Sequence, residues 1–376
     1  MNKIKARVIA FYLPQFHPTP ENDVWWGKGF TEWTNVGKAK PLFRGHYQPK
    51  VPADLGYYDL RLPEIREEQV KLAKEACIYG FCYWHYWFGE GKRLLEMPFN
   101  EVLKSGKPNF PFCLGWANES WENKLWDADN FQHNKILVEQ KYPGKADNEI
   151  HFYSLLNAFK DLRYIRIYDK PLFLIYKPEN FQDIKIFIAQ WNQLARENGI
   201  SGGFHFVAHA SSGKEYSKLL ELGFNSVEIY PMNRVFDYYY NSKSILFKSF
   251  NKIDSILKKA LACKKIKIIE YKDAIKILID KSEDSLPHAI PTIMPNWDHS
   301  PRSGNNAWIL NNSSPELFKL HVKDALECIE NKPEEEKIIF LKSWNEWAEG
   351  NYMEPDIKFG KGYIYALKEV ISGSNE

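Results

Sequence analysis

Cysteine is scarce in this chain of 376 residues. The five thiols, Cys77, Cys82, Cys113, Cys263 and Cys328, are odd in number and form no C-x-x-C pair. That pattern argues against a disulfide frame or a zinc site and for free buried thiols in a reducing compartment. No apolar run approaches membrane-span length, and the run inside MNKIKARVIAFYLPQ is too short for a signal peptide. The expected location is therefore cytoplasmic. An excess of one charge sign is missing too: the formal net charge is +2, which gives no global attraction to nucleic acid or membrane. Nucleotide-binding marks are lacking, since there is no G-x-G-x-x-G and no P-loop, and the DAD at 127–129 follows no strand-like run. No His and acid cluster stands at metal-ligand spacing and no nucleic-acid motif is present, so neither metal, cofactor nor nucleic acid is expected. No repeat is visible and no Gly/Ser/Pro linker splits the chain, which reads as one domain over 1–376 of unassigned oligomeric state.

Aromatic residues are abundant. Thirteen Trp, 21 Tyr and 24 Phe make up 15% of the chain, and hydrophobic residues 44%, which excludes disorder. Aromatic faces suit cores, and they also suit the C–H-rich faces of sugar rings. Eight strand-like runs recur: 6–13, 80–88, 110–117, 171–177, 203–210, 225–231, 289–297 and 337–344. Most are near-continuously apolar, as strands buried on both faces should be. Helix patterns lie between them. PEIREEQVKLAKEAC has Pro63 near its start, DIKIFIAQWNQLAREN stops before Gly199, and SPELFKLHVKDALECIE opens on a Ser-Pro-Glu cap signal. Strand–helix alternation about eight times predicts an α/β fold, a (β/α)8 barrel, with insertions at about 14–78 and 232–286. Within 241–281 a basic segment places Phe250, Ile253, Leu257 and Leu261 at helical spacing. It reads as a covering helix with a solvated lysine face, or alternatively as a dock for a lipid-linked glycan at a membrane surface.

In such barrels the site lies at the carboxyl ends of the strands. The first run ends in Tyr12, followed by Gln15 and His17; the second carries Tyr83, His85 and Tyr86; the third leads to Trp116, Asn118, Glu119 and Trp121. The fourth ends in Tyr176, the fifth in His209, and the sixth holds Glu228 and Tyr230. The seventh gives Trp297, Asp298 and then Arg302; the eighth gives Trp344, Asn345, Glu346, Trp347 and Glu349. Any one of these could be a cap or a satisfied core group. Their recurrence at nearly every run predicts a ring around one cavity. Such a ring suits glycosidic bond chemistry, in which one carboxyl protonates the leaving oxygen and an anionic or basic group works on the other side. Burial among indoles can push two carboxyl pKa values apart. Two Glu three residues apart is by itself a weak pattern. Trp-Asn-Glu-Trp-x-Glu-Gly directly after a strand is far more specific. The bland alternative for Glu346 and Glu349 is structural pairing with Arg302 or Lys342.

AFYLPQFHP, GFCYWHYWF, WANESW and SWNEWAEGNYMEP together resemble the WbsX-like proteins of bacterial surface-polysaccharide loci, which carry a glycosyltransferase label. These are similar in turn to glycoside hydrolase family 99, endo-α-mannosidases and endo-mannanases on a (β/α)8 scaffold. The likeness spans about residues 7 to 370. It implies that Glu346 deprotonates a sugar 2-hydroxyl, which attacks the anomeric carbon to give a 1,2-anhydro sugar. It implies that Glu349 is the acid for the leaving group and then the base for the incoming acceptor, with net retention. Two departures stand out: Ala348 where the hydrolases carry His, and ENKLW after WANESW where the WbsX-like pattern carries arginines. Three functions follow from this reading: a retaining glycosidase or transglycosylase acting on an oligosaccharide or polysaccharide of the O-antigen or capsule type, a nucleotide-sugar-dependent glycosyltransferase, and a non-catalytic glycan-binding protein.

Overall fold

In the computed structural model, which describes residues 4–123, 135–242 and 266–373, all eight apolar runs form strands of one parallel barrel. The strands are β1 (Arg7–Tyr12), β2 (Ile78–Trp87), β3 (Phe112–Trp116), β4 (Lys170–Ile175), β5 (His205–Ala210), β6 (Ser226–Ile229), β7 in two pieces (Ala289–Ile290 and Thr292–Ile293) and β8 (Ile338–Leu341). Each pairs in parallel with its neighbour in sequence from β1 to β6. The first piece of β7 pairs with β6, the second with β8, and β8 pairs with β1, so the ring closes. Pro291 divides β7. It has no N–H to give to a ladder, but its carbonyl accepts from the Phe340 N–H at 3.0 Å, so continuity with β8 is kept. The run predicted at 289–297 is thus strand only over its first five positions, and the remainder turns out over the barrel rim.

The helices lie where periodicity predicts them. Pro63–Glu75, Ile184–Glu197 and Pro315–Ile329 match the three helical patterns. The Ser314 hydroxyl caps the last of these by accepting from Leu317 N–H at 3.3 Å. Trp191, fully buried on Ile184–Glu197, packs its ring 4.9 Å from Phe173 of β4 and so joins a helix to the outer face of the barrel. Both expected insertions carry structure of their own. The first holds the short helices Pro20–Trp26 and Glu32–Lys38, the second capped by Thr31. The second holds helices Met232–Ser242 and Tyr271–Leu278 and a strand, Lys267–Glu270, that pairs in parallel with Trp308–Asn311. A separate apolar cluster that includes Met232, Val235, Tyr271 and Met294 seats it.

The basic stretch with Phe250, Ile253, Leu257 and Leu261, together with Cys263 and the DAD at 127–129, lies outside the described residues. Cys77, Cys82, Cys113 and Cys328 are free thiols. Among the described residues no helix is long and apolar enough to cross a membrane.

Candidate active site

After β8 the chain enters a tight hairpin. Asn345–Glu346 pairs antiparallel with Asn351–Tyr352, and Trp347–Glu349 makes one 3-10 turn between them. Three contacts fix it. The buried Asn345 amide grips the end of β1, accepting from Leu13 N–H at 2.8 Å and donating to Leu13 C=O at 3.0 Å. Trp347 stacks on Tyr352 at 3.8 Å. Gly350 closes the turn at φ +64°, where a Cβ would meet Lys50 Nζ at 2.6 Å and Asp298 N at 2.7 Å. The hairpin thereby delivers Glu346 and Glu349 into a cavity of about 500 Å³ at the strands' carboxyl ends.

Glu346 is buried among donors. Trp84 Nε1 donates to its Oε1 at 2.9 Å; Asn351 Nδ2 and Lys342 Nζ approach its Oε2 at 3.1 and 3.4 Å. Burial pushes the Glu346 carboxyl above the usual carboxylate range; Lys342 opposes this and Glu349 adds to it. Lys342 also lies over the Tyr230 and Trp297 rings at 5.7 and 5.8 Å. Burial would depress its ammonium, but Glu346, Glu349 and Glu228 together hold it above the ordinary lysine range.

Glu349 meets a different cation. Arg302 Nη1 bonds its Oε1, and His299 Nε2 stands 3.9 Å from the same oxygen. The same guanidinium grips Glu32, with Nη2 at 2.9 Å from Oε1 and Nε at 3.3 Å from Oε2. Burial raises the Glu32 carboxyl, while Arg302 pulls it back. Both structural pairings foreseen for the two glutamates therefore exist, Glu349 with Arg302 and Glu346 with Lys342, and both face the cavity rather than solvent.

Aromatic groups wall the rest of the cavity: Trp26, Phe30, Trp84, Tyr86, Trp121 and Tyr176. Trp121 stands edge-on to Tyr86 at 5.1 Å, and Trp84 stacks on Phe11 at 4.7 Å. Gln15, Asn35, Asn305 and Asn306 add amides, and Glu119 and Glu122 add carboxyls. Among the described residues no group of three or more His, Cys, Asp or Glu is arranged to hold a metal ion.

Of the residues expected in the ring, eight line the cavity: Gln15, Tyr86, Glu119, Trp121, Tyr176, Arg302, Glu346 and Glu349. Tyr230 and Trp297 stand behind the wall, where both rings meet Lys342 and Trp297 also stacks on His299 at 6.0 Å. The others serve the scaffold. Tyr12 donates to Gln69 at 2.7 Å, His17 bonds Pro14 C=O at 3.0 Å, and the Tyr83 ring packs 4.5 Å from Tyr12. His85 pairs with His151 at 2.8 Å and Trp116 donates to Trp87 C=O at 2.9 Å, both on the helix side of the strands. Asn118 latches the β4 exit through Lys177, taking its N–H at 2.7 Å and giving to its C=O at 2.8 Å. Glu228 bonds His209 and Thr292, and these with Lys342 overcome burial to hold its carboxyl below the usual range. Asp298 accepts from Gln48 Nε2 at 2.6 Å and lies 2.9 Å from His46 Nε2, and Trp344, Asn345 and Trp347 are buried in the base of the hairpin.

Sequence reasoning missed Trp84, Lys342, Glu32 and Trp26 as cavity residues. Trp84 was within reach, being two positions from Tyr86 on the same strand and hence on the same face. Glu32 and Trp26 sit in an insertion, where no strand end points to them. The single hint is Glu32-Trp33, an acid beside an indole as in Asn345-Glu346-Trp347.

Known proteins share this architecture. The GH99 endo-α-mannosidase of Bacteroides thetaiotaomicron superposes with a TM-score of 0.59 at 14% identity, covering 98% of this chain and 97% of its own. A protein described as glycoside hydrolase-like gives 0.58 at 16% identity, covering 99% and 95%. At these identities the likeness is one of fold. In sequence, WxcX proteins from two strains of Xanthomonas campestris pv. campestris, described as uncharacterized, are 34% identical over 371 residues, 98% of this chain. The chain spans about half the length of these curated relatives, 50% in each. Residues 8–367 match the family described as glycosyltransferase WbsX. That match begins in β1, takes in the hairpin and the cavity walls, and runs into the last helix, Gly362–Ser372. On this evidence the chain belongs to the WbsX glycosyltransferase family.

Proposed function

We propose that this chain is a carbohydrate-active catalytic domain of bacterial surface-polysaccharide metabolism, a retaining glycoside hydrolase or transglycosylase that works through Glu346 and Glu349. One observation carries the reading: both carboxyls enter one aromatic-walled cavity of about 500 Å³ from a single rigid hairpin. Three donors around Glu346 favour a carboxylate at rest, and burial gives it the raised proton affinity that a base needs. In the proposed first step Glu346 takes the proton of a sugar 2-hydroxyl and that oxygen attacks the anomeric carbon. The bond to the leaving oxygen breaks as Glu349 protonates it. In the second step Glu349 takes a proton from water or an acceptor hydroxyl, which opens the 1,2-anhydro ring, and the 2-oxygen recovers its proton from Glu346. Two inversions give retention. Trp26, Trp84 and Trp121 offer faces for pyranose rings, and the amides offer directional bonds to hydroxyls.

The family's description favours a second reading, a nucleotide-sugar-dependent transferase. Against it stands the cavity's charge: among the described residues five carboxyls, Glu32, Glu119, Glu122, Glu346 and Glu349, face the two cations Arg302 and Lys342. A nucleoside diphosphate would enter an acidic cavity in which both cations are already ion-paired. The test is a panel of defined oligosaccharides, α-mannosides included, and sugar nucleotides, with products read by mass. Glycan cleavage or transfer without nucleotide is expected, and Glu346→Gln and Glu349→Gln should each cut turnover at least ~100-fold. Near-normal rates in both variants reject the pair, and UDP or GDP release selects the transferase.

A further inference from the structure

The first insertion places a third carboxyl, Glu32, in the cavity wall. It sits in the first turn of Glu32–Lys38, where Thr31 caps the helix, and its own N–H is fixed to Gln15 C=O at 3.1 Å. Its carboxyl is buried and takes the Nε–Nη2 edge of Arg302 with both oxygens, the bidentate geometry in which guanidinium recognises carboxylate most firmly. Only Nη1 is then directed at Glu349. Arginine stays charged in a protein, so the division of its charge between two carboxyls is set by geometry rather than by proton loss.

We propose that Glu32 is a positioning residue: it fixes Arg302 edge-on and absorbs part of its charge, so that Glu349 remains able to carry the leaving group's proton. The inference rests on the reading of Glu349 as acid and base and deepens it. Without Glu32, the guanidinium is free to turn its two-donor edge onto Glu349 and hold it as a carboxylate. Charge counting agrees. The three carboxyls ion-paired to Arg302 and Lys342, those of Glu32, Glu346 and Glu349, set three negative charges against two positive ones, so one proton spread over them brings this ion-paired group, which excludes Glu119 and Glu122, to neutrality. Burial raises Glu32 in the direction that lets it share that proton. The other charges facing Glu349 are His299 from the loop after β7 and Lys342 and Glu346 from the β8 end. Tyr176 and Tyr230 couple to it from the ends of β4 and β6, and Glu119 and Glu122 line the same cavity.

The experiment needs no known substrate. The chain is labelled with 13Cδ-glutamate and titrated by NMR, with the Glu349 resonance assigned by its loss in Glu349→Gln. In Glu32→Gln the Glu349 midpoint should fall by about one pH unit, and Glu32→Asp should bring it back. Arg302→Met should move it the opposite way. For the glycan that wild type cleaves, the alkaline limb of kcat/KM in Glu32→Gln should shift to lower pH by the same amount, because a general acid must be protonated to act. An unmoved Glu349 midpoint in Glu32→Gln overturns the proposal. Where that variant is too unstable to titrate, a midpoint that does not rise in Arg302→Met overturns it. Full turnover in Glu349→Gln would instead sink the catalytic reading and leave the titration result standing, so the two failures are distinguishable.

Discussion

Behind the hairpin one carboxyl, Glu354, collects three donors in the dry interior. Trp347 Nε1 gives to it at 2.6 Å, Gln69 Nε2 at 2.7 Å and Tyr58 OH at 2.9 Å. Burial nevertheless pushes its pKa up to about 7, since the donors recover only part of the lost hydration. A raised carboxyl has a definite sign in stability. Between its ordinary value near 4.5 and about 7, the native state binds more protons than the unfolded chain, so stability falls as pH rises through that window. The full effect is on the order of 3 kcal/mol, present below the unfolded pKa and lost above the folded one. Glu354→Gln removes the titration. The difference between wild-type and variant urea midpoints should therefore change across pH 4.5 to 7 and be flat on either side; a pH-independent difference would refute the linkage. Gln69 can turn its amide to meet the new one, with Tyr12 OH reversing its role, so the variant should fold.

At the scale of elements, the hairpin that carries the glutamates depends on a residue with no side chain. Gly350 sits in the left-handed region against Asp298 and Lys50, and the Glu349 carbonyl accepts from Asp298 N–H at 2.8 Å immediately before it. In Gly350→Ala the left-handed backbone alone costs about 1–2 kcal/mol. The added methyl also has to displace the Asp298 backbone rather than a flexible side-chain end. The expected outcome is a lower melting temperature together with a larger loss of turnover than the stability change explains, read as kcat on the folded fraction. Unchanged kcat would mean that Glu349 does not need this turn. Elements were also the most legible part of the fold. Eight buried runs announced eight strands because a strand covered on both faces must be apolar throughout. That same property hid which side chains point inward. On β2, Trp84 and Tyr86 face the cavity while Tyr83 and His85 face the helices, and alternation of facing leaves no mark on a run whose two faces are both dominated by aromatic residues. Eight residues of the expected ring line the site for this reason, and Tyr12, His85 and Trp116 support it from outside.

Across the whole molecule, the site is a joint product of the barrel and the first insertion. The barrel ends supply Glu346, Glu349, Lys342 and Trp84; the insertion supplies Gln15, Trp26, Phe30, Glu32 and Asn35. Apart from Gln15, which follows the first strand directly, this division could not be read from strand ends, because an insertion is placed by contacts distant in sequence. One of its latches is Asp298, which is not among the cavity-lining residues. The buried Asp298 carboxylate bonds His46 and Gln48 from the insertion and Ser300 N–H from its own loop at 3.0 Å. Those bonds and the nearby Lys50 outweigh burial and hold it well below the usual carboxylate range, so it is the ionised form that docks the insertion. Truncation in Asp298→Ala leaves His46 and Gln48 buried without their acceptor and the buried Lys50 without its nearby counter-charge, a cost on the order of 3 kcal/mol. The loss falls on the insertion rather than on the barrel, whose strands pair independently of it. Amide exchange in residues 14–60 should accelerate while β1 to β6 stay protected, and turnover should fall at least ~10-fold because Glu32 and Trp26 leave the cavity with the insertion. Uniform acceleration across the barrel would instead make Asp298 a general stability residue. Wild-type turnover with a loosened insertion would show that the chemistry needs the barrel end alone.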